Sequence, residues 1–120
     1  MKYLMLVYHD EIADMQLGQE EQNAIMQDYF GFIAEAQQRG ALRGVEILMP
    51  TASATTVRVR EGKALTTDGP FAETKEQLGG FFILECKDLD EAIELAAKIP
   101  GAKNGSIEIR PVVEMGGESE

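Results

Sequence analysis

The chain has 120 residues, enough for one ordinary domain with a single core, and its 44% apolar and 27% charged residues exclude wholesale disorder. No apolar run reaches the roughly 18 residues that a bilayer span needs, and a formal net charge of −10 repels phosphate backbones and anionic lipid, so neither nucleic acid nor membrane is an expected partner. One cysteine (Cys86) and one histidine (His9) exclude an internal disulfide, a thiolate zinc site and a site of several imidazoles; a reducing cytoplasm is the expected compartment, with no metal and no cofactor.

Residues 2–8 read as a strand and not a signal peptide, because no small-residue cleavage site follows. Tyr3, Met5 and Val7 point one way, Leu4, Leu6 and Tyr8 the other. A strand with one wet face alternates apolar with polar; this one is apolar on both faces and must be covered on both. Residues 9–19 read as a polar connection. A helix is predicted from about residue 19, where Glu20 and Glu21 suit the positive end of its dipole, to Arg39, with Gly40 as its stop. Ala24, Ile25, Tyr29, Phe32, Ile33 and Ala36 make its apolar face.

A second strand is predicted at 42–48, closed by Pro50. The period-two run Thr55–Arg60, the turn Glu61-Gly62 and the run Lys63–Thr67 form a hairpin, an insertion with Arg58 and Arg60 on one side. Asp68-Gly69-Pro70-Phe71 is a turn, and Ala72–Gln77 suits a short helical turn. Gly79-Gly80, read as a bulge or a close backbone approach, opens the strand Phe81–Cys86, again apolar on both faces. Asp88 caps a helix reaching about Ile99, Pro100-Gly101 stops it, and a last strand follows at about 106–113. The domain is expected over residues 1–113. The tail 114–120 has nothing to bury and is expected to fray.

The order β–α–β, hairpin, β–α–β is that of an α+β, ferredoxin-like antiparallel sheet with an inserted hairpin, both helices on one face. Large side chains remain on the other face, so a homodimer through that sheet face is expected, giving a dimeric α+β barrel.

The run Thr67–Phe81, with Asp68-Gly69-Pro70-Phe71 at its start, resembles the signature of the YCII-related family in its DGPF-domain branch. Met1–Leu6, Thr55–Arg60, Asp88–Ala92 and Gly105–Pro111 are similar to the same family, so the resemblance covers about residues 1–113. It implies a dimeric α+β barrel, a small bacterial stand-alone protein, and in some members an association with extracytoplasmic-type sigma factors. The wider superfamily includes monooxygenases, lactone isomerases and dehalogenating enzymes with a pocket between helices and sheet. The histidine–aspartate pair of the shorter branch falls near Tyr29 and Gln38 here, and neither matches, so that pair is not carried over.

Asp68, at a strand end held by a Gly-Pro turn, is the first candidate catalytic carboxylate; the alternative is that it bonds the turn. Glu73 is a second candidate and Lys75 a ligand contact, against a solvated ion pair. His9, beside Asp10, is a candidate proton carrier, against an exposed loop histidine. Tyr8, Tyr29 and Phe71 are candidate ligand contacts, the tyrosines otherwise being core residues. Arg58 suits an anionic ligand, against a solvated hairpin face. Cys86 reads as an inert core thiol. Two functions follow: a cofactor-free enzyme using acid–base chemistry on a small aromatic or carbonyl-bearing molecule, or a non-catalytic ligand-binding or regulatory dimer linked to a sigma-factor pathway.

Overall fold

In the computed structural model, which describes residues 1–115, strands β1 (Lys2–His9), β2 (Leu42–Ile47), β5 (Gln77–Glu85) and β6 (Ser106–Pro111) form one antiparallel sheet in the order β2-β5-β1-β6. Strands β3 (Thr55–Arg60) and β4 (Lys63–Asp68) pair only with each other. Helices α2 (Gln19–Gln38) and α3 (Leu89–Lys98) connect β1 to β2 and β5 to β6. This is the ferredoxin-like α+β arrangement with an inserted hairpin. The expectation for Gly116–Glu120 lies outside the described residues.

The period-two pattern of the central strands decides which side is dry. Tyr3, Met5 and Val7 of β1 and Phe82 and Leu84 of β5 are buried with Phe32 and Ala36 of α2 and Ala92, Leu95 and Ala96 of α3. Phe82 stacks on Tyr29 at 6.4 Å and meets Phe32 edge-on at 5.1 Å, the offset geometries that aromatic quadrupoles favour. Outside the core, Glu35 of α2 accepts from Lys98 of α3 at 2.7 Å, tying the two helices together. Cys86 is buried, and burial pushes its thiol up, consistent with an inert side chain.

The opposite sheet face carries Leu4 directly across from Ile83 and Leu6 across from Phe81, all four half-buried. Polar side chains flank this block. Arg110 and Glu108 lie beside it on β6, and Glu46 lies beside Phe81 on β2. An apolar centre with a charged rim is the anatomy of an association surface.

The structure corrects three expectations. The connection 9–19 contains a short helix, α1 (Glu11–Asp14), whose N-cap Asp10 accepts from the backbone N–H groups of Ile12 at 3.0 Å and Ala13 at 3.2 Å. It buries no residue, so it left no apolar periodicity to read. Ala72–Gln77 forms no helical turn: β5 begins at Gln77, earlier than Phe81. The last strand stops at Pro111, short of residue 113, and one residue on Val112 still donates to the Lys2 carbonyl at 2.9 Å.

Candidate functional site

A bulge in β5 faces the end of β1. Val7 pairs with Gly80 but Tyr8 pairs with Leu78, so Gly79 is the extra residue in β5. Bulges bend a strand and redirect side chains, and they gather beside sites. Here the bulge lies against His9, which is on the same face as Val7, the face packed by the helices. A β-carbon at Gly79 would overlap the His9 ring, so only glycine lets the imidazole lie on the strand.

His9 Nδ1 is bonded to the Asp14 carboxylate at the end of α1. A carboxylate offers only acceptors, so Nδ1 carries the proton in this contact and Nε2 is left as the nitrogen that exchanges protons. The short helix is itself pinned. Glu11 N–H donates to Gln77 Oε1 at 2.9 Å, and the Glu11 carboxylate accepts from the Thr51 backbone N–H at 3.1 Å and the Thr51 hydroxyl at 2.7 Å. Thus α1, the start of β5 and the loop after β2 are held together at this end of the sheet.

Tyr29 of α2 completes the cluster. Burial pushes its phenol up, the Gly101 backbone N–H opposes that, and the Asp14 charge adds to the rise. A β-carbon at Gly101 would stand 2.7 Å from the Tyr29 hydroxyl and 3.0 Å from Val7 Cγ1. Asp14 thus bonds the imidazole, and its charge also acts on the phenol. The ring nitrogen that faces no carboxylate can accept a proton, and the phenol can donate a hydrogen bond.

The sequence candidates are distributed unevenly. His9 and Tyr29 lie in this cluster. Tyr8 lies on the opposite sheet face, its hydroxyl donating to Glu108 at 3.2 Å; burial first, then Glu108, pushes its phenol up. Asp68 is exposed at the base of the hairpin, Arg58 is exposed on it, and Phe71, Glu73 and Lys75 are exposed on the loop to β5, Phe71 at 79%. Among the described residues none of these side chains hydrogen-bonds or ion-pairs with His9, Asp14 or Tyr29. The reading from sequence missed Asp14, which became adjacent to His9 only through α1. The signal was Asp10 directly after the strand end at His9: an Asx cap followed by Glu11-Ile12-Ala13-Asp14 permits one helical turn, which returns residue 14 to residue 9.

A groove of about 380 Å³ between α2 and α3, lined in part by Asp28, Phe32, Glu35 and Lys98, lies apart from the cluster, and its Glu35 and Lys98 are already paired. Among the described residues no three His, Cys, Asp or Glu side chains converge on a metal position. No helix among them is long and apolar enough to cross a membrane.

The fold and this cluster define a small ferredoxin-like α+β protein with a histidine–carboxylate pair at one end of its sheet. The family profile of the YCII-related domain matches residues 1–116, and the chain belongs to that family. It is 40% identical over 114 residues to an uncharacterised protein of Rhizobium meliloti (strain 1021), covering 93% of this chain and 92% of that one.

Two expected results follow from the geometry. Replacing Gly79 by alanine forces the His9 ring off the strand. That ring is 36% exposed and free to swing out, so unfolding in urea should show a stability change within about 1 kcal/mol, while the His9–Asp14 bond is lost from the imidazole nitrogen spectrum. An unchanged imidazole signature in the variant would contradict the packing. The second result concerns pH. The Tyr29 phenol has its folded pKa raised above the unfolded value of 10.0, so its contribution is complete below that value and is lost as pH rises through the folded pKa. Melting temperatures followed from pH 8 into the alkaline range should therefore fall more steeply for the wild type than for Tyr29→Phe. Parallel curves would contradict the assignment.

Proposed function

We propose that this protein is a cofactor-independent catalyst of proton transfer on a small aromatic or carbonyl-bearing molecule, acting as a homodimer joined through the open sheet face. The observation that supports it most is the His9 imidazole held by Asp14, on the sheet face that also carries the Tyr29 phenol. In this reading Asp14 holds the ring with Nδ1 protonated, Nε2 takes a proton from the substrate, and Tyr29 donates a hydrogen bond to the oxygen on which charge develops. Asp68, exposed at the base of the hairpin, and Glu73, exposed on the loop to β5, are assigned to the approach of ligand rather than to proton transfer. Phe71 and Lys75 supply an aromatic face and a cation there. The buried Cys86 thiol suits a reducing, cytoplasmic setting.

One observation favours a second reading, a dimer that binds a small ligand or regulates without turnover. The His9 and Asp14 side chains are 36% and 46% exposed, and catalysis by this pair needs water kept out. A thermal-shift screen of small acids, phenols and ketones against wild type and His9→Gln tests both. Compounds that stabilise both proteins by several degrees and are consumed by the wild type but not by the variant support catalysis. Compounds that bind both proteins and are returned unchanged support the binding dimer.

A further inference from the structure

The β3–β4 hairpin has no cover within its own chain. Every residue of its strands is exposed except the half-buried Thr56. An isolated two-stranded hairpin is marginal in water, so this one needs a surface to lie on. Its register sets Arg58 opposite Leu65 and Arg60 opposite Lys63, which places all three cations on one face. The other face carries Val57 and Val59, 59% and 62% exposed. Bare valines require a macromolecular surface, which a small anion cannot provide. None of the three cations has an ion-pair partner among the described residues.

The rest of the chain has the opposite pattern. Between Lys2 and Arg39 there is no lysine or arginine. On α2 the residues Glu20, Asp28 and Glu35 share one stripe at helical spacing, with Ala24 and Gly31 between them on that line, and Asp28 and Glu35 border the groove to α3. Glu35 is engaged by Lys98 and Arg39, while Glu20 and Asp28 are exposed.

We propose that the hairpin is an arm that reaches a second copy of this chain and sets Arg58, Arg60 and Lys63 against the Glu20–Asp28 stripe of that copy's α2. The proposal rests on the sheet-face dimer above. Six-residue strands reach about 20 Å, and the layers to be crossed, one sheet spacing and one helix, are each about 10 Å. Two chains of net charge −10 repel one another, and a cationic arm aimed at an acid-only segment turns part of that repulsion into attraction.

Sedimentation of the full chain tests this, comparing wild type, Arg58→Glu/Arg60→Glu, and the same pair combined with Glu20→Arg/Asp28→Arg, with circular dichroism to confirm folding. The arm reversal should raise the dimer Kd at least tenfold, high salt should do the same to the wild type, and the combined variant should return to within about threefold of it. A Kd that stays within twofold on reversal and is flat with salt overturns the arm contact. If Leu6→Asp still splits that dimer, the sheet-face reading survives alone. A wild type that is monomeric throughout removes both. Binding to phosphatidylserine vesicles that is lost on arm reversal, with the dimer unaffected, would assign the arm to lipid and overturn the proposal.

Discussion

Leu6→Asp is expected to turn the proposed sheet-face dimer into monomers at micromolar concentration while each monomer keeps its fold. Leu6 sits at the middle of the apolar block, across from Phe81 and beside Glu108. In a two-fold dimer each copy would bury a new carboxylate against Leu4, Phe81 and Ile83 of the other, with no cation at the centre. An uncompensated buried charge costs about 3–5 kcal/mol, and two-fold symmetry counts it twice. The dissociation constant should therefore rise by more than about 10⁴. In a protein that works as a monomer, the same half-exposed position would cost about 1 kcal/mol or less and change no mass. Light scattering separates the two outcomes, and Leu6→Met, which keeps the apolar volume, should leave the dimer intact.

The second large effect is chemical. Once a substrate is in hand, His9→Gln should lower turnover by about 10²–10⁴, the usual contribution of a positioned general base, with a much smaller change in KM. Asp14→Asn should give a smaller loss, because it leaves an acceptor near Nδ1 but removes the charge that stabilises the imidazolium. Asp68→Asn and Glu73→Gln should act on KM more than on turnover. If Asp68→Asn instead removed turnover while His9→Gln left it unchanged, the proton-transfer role would move to the hairpin base.

The sheet and its two long helices were legible because each rests on a repeated pattern. Period two in Tyr3–Tyr8 and Phe81–Cys86 marks central strands, and the apolar face from Ile25 to Ala36 marks the helix that covers them. The hairpin was legible because Glu61-Gly62 is a turn signal between alternating runs, and both residues adopt positive φ, 51° and 77°. The Gly79-Gly80 pair also read correctly, as both bulge and close approach: Gly79 is the bulge, and a β-carbon on Gly80 would stand 2.6 Å from the Glu46 carbonyl.

The candidate site was only half legible. His9 and Tyr29 stand out as residue types, but what joins them is Asp14, carried by one turn of helix that buries nothing and so leaves no hydrophobic imprint. The prominence of Asp68-Gly69-Pro70-Phe71 as a motif drew attention to Asp68, whereas the structure leaves that side chain exposed where the hairpin ends. Sequence motifs report turn chemistry well. They do not report which distant carboxylate a single imidazole meets.

Because His9 is the chain's one histidine, its ring nitrogens can be observed without assignment ambiguity. The decisive measurement is a long-range proton–nitrogen correlation spectrum of the imidazole in nitrogen-15 protein, at a pH where the ring is neutral, for wild type and Asp14→Ala. The wild type should hold the Nδ1-protonated tautomer, and the variant should return to the Nε2-protonated form, the ordinary preference of a free ring. An Nε2-protonated ring that is identical in both proteins would contradict the His9–Asp14 bond.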